Sequence, residues 1–412
     1  MTLDAPPPSG STARYAAKKE AILAAATAIL NRQGVRGMTL ADVAADVGLI
    51  TTSVTYYYRK KEDLAAACFL RGVEIFDNLA SEAAKAVGAR ARLARFIELY
   101  FDHALKIRLK QVPPFVAFGE MKGLNEPLRS EVGGAFNDLF RNIRGFFDDP
   151  EFAGLSRLET TARTHLLLEQ AFWTVTWLRR YDVEDFPRIR DRMSDILCNG
   201  LAAGDRPWAP PPLPIAAAEP AAGQDVSRET FLIAATRVIN QKGYRGASVE
   251  DISAQLNVTK GSFYHHNEAK DDLVVECFER TFEVMRANQF AARDLERADR
   301  WTQLTAATAA LVNYQLSDHG PLLRASAMGA LPGDIRHDLV ERYARISDRF
   351  AAMISDGIAE GSIRPVDPLI AAHMISSMIN AAVSLQNWAP GADLDQAAAL
   401  FARPLLVGVF SR

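Results

Sequence analysis

From Lys18 to Gln33 apolar residues return at Ile22, Ala26, Ile29 and Leu30, a spacing that puts them on one face of a helix. Gly34 follows, the residue type that most readily ends such a helix. A second helix is predicted from Thr39, with Leu40, Val43, Ala44 and Val47 turned inward. Thr39 with Asp42, and Ser248 with Asp251 farther along the chain, stand at the spacing of a capping box, in which each side chain satisfies free amides of the first turn. Gly48 ends that helix, and a left-handed backbone suits the reversal it predicts. A short polar helix from Thr51 to Tyr57 comes next. A longer helix opens near Lys61 and continues through Leu64, Cys68 and Arg71.

The same pattern occurs twice. Sliding the sequence by 209 positions sets Glu20 on Glu229, Leu23 on Leu232, Asn31 on Asn240, Gly34 on Gly243 and Asp42 on Asp251. Lys61 then meets Lys270, Cys68 meets Cys277 and Arg71 meets Arg280, with no gap between residues 19 and 74. About a third of these positions are identical. Farther on the match weakens, and Met121 and Leu124 align with Met328 and Leu331 at a shift of 207. The chain therefore reads as the duplication of one unit of about 200 residues rather than a short-period solenoid. Between the copies, residues 203–226 carry Pro207, Pro210, Pro211, Pro212, Pro214 and Pro220, so this linker is expected to be extended and semi-rigid.

Composition narrows the function classes. With 412 residues, 49% hydrophobic and 24% charged, the chain has an ordinary globular balance. It contains no apolar run long enough to span a bilayer, and its start does not read as a signal peptide. Three cysteines, Cys68, Cys198 and Cys277, form no CxxC pair and suit a reducing cytoplasm, the expected location. The net charge of −3 conceals a local excess. Residues 14–63 carry eight Lys/Arg against five Asp/Glu, whereas 227–273 carry six of each.

A helix, a tight turn and a short polar helix, braced by a preceding helix, describe a helix-turn-helix, whose second helix lies in the DNA major groove. The run VTKGSFYHHNEAKDDL, Val258 to Leu273, with GYRGASVEDIS upstream from Gly243, closely resembles the DNA-binding signature of TetR/AcrR-type one-component regulators. The first copy, TLADVAADVGL from Thr39 and VTYYYRKKEDL to Leu64, fits with departures. Thr51 and Thr52 replace the family's Lys-Gly, and Thr55 its first Tyr. Tyr57 and Tyr58 keep the aromatic pair that His266 and Asn267 replace in the second copy. The resemblance is specific over about 55 residues per copy.

The residues expected to meet DNA follow from this reading. In the first copy they are Thr39, Thr51, Thr52, Ser53, Thr55, Tyr56, Tyr57 and Lys61. In the second they are Ser248, Thr259, Lys260, Gly261, Ser262, Tyr264, His265 and Lys270. Short polar side chains reach phosphates and base edges, and threonine methyls pack on a thymine methyl. Lys61 and Lys270 open a helix whose amides and dipole attract phosphate, and by resemblance this Lys grips the backbone. Arg59 and Lys60 add charge to the first copy only. Tyr57 and Tyr58 are expected to pack between helices, leaving Tyr56 exposed. No metal is expected: His265 and His266 project about 100° apart on a helix and do not share an ion. Cys68 and Cys277 read as buried packing residues.

The expected fold is all-α, with two tandem TetR-like units. Each has an N-terminal three-helix helix-turn-helix domain (14–74 and 227–283) and a C-terminal helical effector and dimerisation domain (75–202 and 284–412), joined by the linker. The family resemblance implies a small effector and pairing through the last two helices. Those are about 161–180 with 187–201, and 367–388 with 394–410, so one chain would form a pseudo-dimer. The expected effector is largely apolar, lined by Phe118, Met121, Phe140, His165, Trp173, Trp177, Tyr314, Met328, Met374 and Met378. No phosphate loop, HExxH or nucleophile elbow appears. The chain is therefore read as a non-enzymatic, cofactor-free transcriptional regulator, expected to be a repressor, whose partners are double-stranded operator DNA and the effector. A homodimer of the chain stays open, as does the competing reading of a sequestering or protein-interaction module with vestigial reading helices.

Overall fold

The computed structural model describes residues 10–213, 228–244, 246–256, 270–388 and 394–411. Among these residues the structure is helical with no strand, apart from one isolated antiparallel bridge between Ala202 and Ile363. No helix among them is long and apolar enough to cross a membrane. The first repeat contributes α1 (Gly10–Gly37), α2 (Leu40–Asp46), α3 (Thr51–Tyr57), α4 (Lys61–Ala83), α5 (Ala89–Arg108), α6 (Leu128–Arg144), α7 (Arg157–Trp177) and α8 (Phe186–Asn199). The second contributes α9 (Arg228–Lys242), α10 (Val249–Leu256), α11 (Lys270–Arg293), α12 (Arg300–Leu316), α13 (Gly333–Glu360), α14 (Pro368–Ala382) and α15 (Leu394–Val407). The backbone breaks from helical geometry within α1 at Gly34, with φ 67°, and Gly243 repeats the positive φ at 72°.

The chain divides into two compact units. The first holds residues up to Asn78 together with Lys106–Leu139. Its core is built by the positions whose spacing announced helices: Ile22, Ala26, Ile29, Leu30, Val43, Val54 and Leu64, all at most 2% exposed. The segment after α5 joins this core because Asn31 clamps it. The Asn31 amide donates to the Phe115 carbonyl at 2.7 Å, and its oxygen accepts the Ala117 amide at 2.8 Å. Behind the clamp, Phe118 meets the rings of Phe76 and Phe136, and Phe118 and Met121 both pack against the core.

The second unit holds Leu79–Leu105 and Phe140–Arg412. Here α7 and α8 of the first repeat pack against α14 and α15 of the second in a four-helix bundle, the pseudo-dimer core. Its ends are reciprocal. The Leu201 amide donates to the Leu406 carbonyl at 2.7 Å, and the Val409 amide donates to Leu197 at 2.8 Å. At this crossing Gly200 (φ 67°) and Gly408 (φ 106°) let two backbones touch. A Cβ on either would sit 2.4–2.6 Å from the other repeat's main chain. Polar side chains stitch the bundle as well. Buried Arg163 donates to the carbonyls of Val409 at 2.9 Å, Ser411 at 2.8 Å and its own helix at Glu159, 3.3 Å. Gln170 donates to the Met374 carbonyl at 2.9 Å.

The linker is less of a free spacer than its proline content suggests. Its first residues lie against the second repeat. The Ala203 amide donates to the Ser362 carbonyl at 3.4 Å, Arg206 pairs with Asp299, and the Trp301 indole donates to the Pro207 carbonyl at 3.1 Å. Residues 214–227 lie outside the described residues.

Candidate nucleic-acid interface

Both heads are started by the predicted caps. Thr39 accepts the Asp42 amide at 3.1 Å, and its hydroxyl donates to the Asp42 carboxylate at 2.7 Å. In the second head the box is fully reciprocal: Ser248 accepts the Asp251 amide at 3.1 Å, and the Asp251 carboxylate accepts the Ser248 amide at 3.0 Å. The Lys242 ammonium, 2.5 Å from that carboxylate, holds the Asp251 carboxyl down at about 2. After α2 the chain reverses through Gly48, whose φ is 65°, and the Leu49 amide returns to the Ala44 carbonyl at 2.8 Å.

This turn delivers α3 with one face anchored and the rest free. Val54 is fully buried, whereas Thr51, Thr52, Thr55 and Tyr56 are exposed and Ser53 and Tyr57 half-buried. The Thr55 hydroxyl donates back to the Thr51 carbonyl at 2.9 Å, leaving its oxygen and methyl outward. Of the tyrosine triplet, Tyr58 is core, and burial pushes its hydroxyl up to about 12. Tyr56 is 75% exposed. Tyr57 stacks instead on Tyr15 of α1, with ring centroids 4.8 Å apart, and Tyr56 meets the same ring edge-on at 6.4 Å. This three-ring cluster ties α3 to the exposed start of α1, beside Arg14, Lys18 and Lys19. No sequence periodicity signals it, because Tyr15 precedes the apolar repeat of α1.

Lys61 stands at the start of α4 and donates to the Arg36 carbonyl at 2.7 Å. One of its three N–H groups thus closes the end of α1. In the second head Lys270 lies over the Tyr244 ring at 4.4 Å, a cation–π contact. Of the other second-head candidates, Ser248 caps α10, while Thr259, Lys260, Gly261, Ser262, Tyr264 and His265 lie outside the described residues. The paired cysteines pack as expected. Cys68 and Cys277 are buried, each thiol reaching a carbonyl of the head's first helix, Leu23 at 3.8 Å and Leu232 at 3.7 Å. Burial raises them to about 11 and about 12.

Two family models match the chain. One, the bacterial regulatory proteins of the tetR family, matches residues 22–68 and again 231–277. The other, a tetracyclin repressor-like C-terminal domain, matches 297–388. The chain is a tandem TetR-family regulator. Two matches to the TetR head, the first of which shows its helix-turn-helix in α2 and α3, make it a DNA-binding regulator. Among its relatives is the HTH-type transcriptional repressor DhaR of Mycobacterium sp. (strain GP1), 25% identical over 173 residues, which are 41% of this chain and 87% of DhaR. The transposon Tn10 TetC protein of Escherichia coli is 23% identical over 136 residues, 33% of this chain and 68% of TetC. A solved structure of AibR in complex with isovaleryl coenzyme A and operator DNA is 23% identical, covers 43% of this chain and 96% of AibR, and superposes with a TM-score of 0.36.

The residues read from the sequence as an effector lining are spread through this TetR frame. Phe118 and Met121 pack around the first head's core. Phe140 is buried on α6 in the other unit. His165, Trp177 and Met374 belong to the four-helix bundle. The His165 ring stacks on Phe401 at 5.4 Å, Trp177 lies on His373 at 5.3 Å, and the Met374 carbonyl takes the Gln170 amide. Burial pushes both histidines below the ordinary imidazole range, His373 to about 4. Trp173 is half-buried and donates to Glu169 at 3.1 Å. The Tyr314 hydroxyl accepts from Arg280 at 2.8 Å, while Met328 and Met378 are buried.

Proposed function

We propose that this TetR-family chain is a ligand-responsive repressor. In this reading residues 14–74 and 227–283 read two halves of an operator, 75–202 and 284–412 form the effector and pairing domains, and 203–226 join them. The observation that carries the DNA contacts is the exposed face of α3. Thr51, Thr52, Thr55 and Tyr56 surround a single buried anchor, Val54, directly after a tight turn. That arrangement suits insertion into a major groove, with hydroxyls for phosphates and methyls for thymine. Thr259, Lys260, Ser262, Tyr264 and His265 take the corresponding role in the second head. Lys61 keeps two N–H groups for a phosphate while it caps α1.

Kinship with DhaR, a transcriptional repressor, supports repression here. The tetracyclin repressor-like C-terminal domain at 297–388 supports its relief by a small molecule. In an ordinary dimer the two reading helices are identical and the operator is a palindrome. Here the two halves differ, which favours an asymmetric or imperfect palindrome. A ligand releases DNA only if it binds one conformation of the chain better than the other. Fluorescence-anisotropy titration of the full chain against the promoter beside its own gene tests the DNA claim. The expected result is binding at least about a thousandfold tighter than to random duplex at physiological salt. Equal affinity for both would reject it.

A further inference from the structure

The clamp that Asn31 makes in the first repeat recurs in the second. The Asn240 amide donates to the Leu322 carbonyl at 2.9 Å, and its oxygen accepts the main-chain amide of Arg324 at 3.0 Å. The residue whose amide closes the clamp differs. It is Ala117 in the first repeat and Arg324 in the second. The clamp thus has no need of a guanidinium, and Arg324 carries one into a polar cluster inside the second unit.

Arg324 Nη2 donates to the buried Ser384 hydroxyl. The next amide, Ala325, donates to the Asn380 side-chain oxygen at 3.1 Å, and Asn380 in turn donates to the Tyr343 hydroxyl and to the Ser376 carbonyl at 2.9 Å. Among the described residues Arg324 Nε–H has no acceptor, and it is out of contact with solvent. Glu169 of α7 acts on the guanidinium through space, but its carboxylate accepts the Trp173 indole. Arginine does not shed its proton to escape such a place. A cation partly withdrawn from water, with one neutral hydroxyl as its described hydrogen-bond partner and a buried N–H unused, is costly unless an anion completes it. The residue as a whole is only half-buried, so the cluster is not sealed. Leu322, Met328 and Ile379 of the same elements are buried and apolar.

We propose that Arg324 binds the carboxylate of a small organic acid, and that this effector site belongs to the second repeat alone. The inference rests on the ligand-responsive reading above and sharpens it: the effector has an apolar body with an anionic end, and one chain binds one of them. It also supplies a route to DNA. The amide of Arg324 is held by Asn240, which lies on α9, the first helix of the second head. A ligand that moves Arg324 therefore pulls on the head through a single peptide unit.

Thermal unfolding of the full chain is followed with hexanoic acid, methyl hexanoate and hexyl phosphate, in wild type, Arg324→Gln and Glu169→Gln. The acid is expected to raise the midpoint of the wild type and the ester to leave it unchanged. Arg324→Gln should weaken the acid by at least about tenfold. Glu169→Gln, which removes a competing negative charge, should strengthen it, and this variant keeps the test informative if Arg324→Gln does not fold. Equal stabilisation by acid and ester, no response to the acid, an unaltered affinity in Arg324→Gln, or stabilisation by the alkyl phosphate alone would overturn the assignment. Specific DNA binding is measured separately on the unliganded chain. If it is absent while the acid still discriminates by Arg324, the regulator reading falls and the anion site stands.

Discussion

Asn31 and Asn240 hold their loops with the same pair of hydrogen bonds, 2.7 and 2.8 Å in the first repeat, 2.9 and 3.0 Å in the second. Around this shared frame the two copies have parted. The first head keeps an excess of positive charge and a row of exposed threonines on α3. The second head has balanced charge and a fully reciprocal cap, and its repeat carries Arg324 at the clamp where the first carries Ala117. The paired salt bridges, Glu20 to Arg71 and Glu229 to Arg280, and the paired cysteines stay in register. What is duplicated is the scaffold, and what diverges is the chemistry presented by it. Fusion permits this, because each copy is guaranteed the other as its mate.

The strongest challenge to this picture is to separate the copies. Arg163 serves two carbonyls of the other repeat's C-terminal end, both of which lose their donor in Arg163→Ala. A loss of roughly 3 kcal/mol is expected, combining unsatisfied acceptors with a cavity, read as a lower urea midpoint. An unchanged midpoint would mean that the bundle does not depend on this stitch. Next come the clamps. Asn31→Ala and Asn240→Ala should each cost about 2 kcal/mol, because each removes two hydrogen bonds from a part-buried loop. A silent Asn240→Ala beside a costly Asn31→Ala would show that the second clamp is not equivalent.

At the DNA, Thr52→Ala and Lys260→Ala are expected to weaken operator binding by comparable amounts, about 1 kcal/mol each, if both heads read sequence. Anisotropy would expose a decayed head as the one whose variant has no effect. Smaller still is Lys61→Ala, expected to reduce the slope of log affinity against log salt by about one, since one phosphate contact is lost. A slope identical to wild type would mean that the bond to Arg36 occupies the residue entirely. Finally, Cys68 and Cys277 are matched reporters of opening in the two heads. Alkylation of the native chain should reach half-buried Cys198 first and the two buried thiols later, and their order, read by peptide mass, ranks the heads by local stability.

Most of the frame was legible in the residues. Ile22, Ala26, Ile29 and Leu30 define a face, Thr39 with Asp42 and Ser248 with Asp251 define starts, and the offset of 209 gives the duplication directly. These are local or periodic signals, and local physics enforces them. The polar stitches were not legible. Asn31 reaches residues 84 and 86 positions away, and Arg163 reaches 246 and 248, distances at which no periodicity operates. Asn31 and Asn240 did coincide in the repeat, but identity at matched positions does not say what an amide will hold. Phe118 and Met121 show the opposite difficulty. Their apolar character fits a ligand wall as well as a head core, and the structure adds that both pack against the head core. Prolines foretold an extended linker but not that Arg206 and Pro207 would find Asp299 and Trp301.

The crossing of Gly200 and Gly408 carries a further lesson. Two separate chains meeting there would come apart on dilution, so their pairing would follow the number of copies in a cell. Joined end to end, the halves meet at a rate set by the tether, and a single molecule assembles as readily as a thousand. A gene expressed at very low level can still field a two-headed protein, each half held beside its own mate.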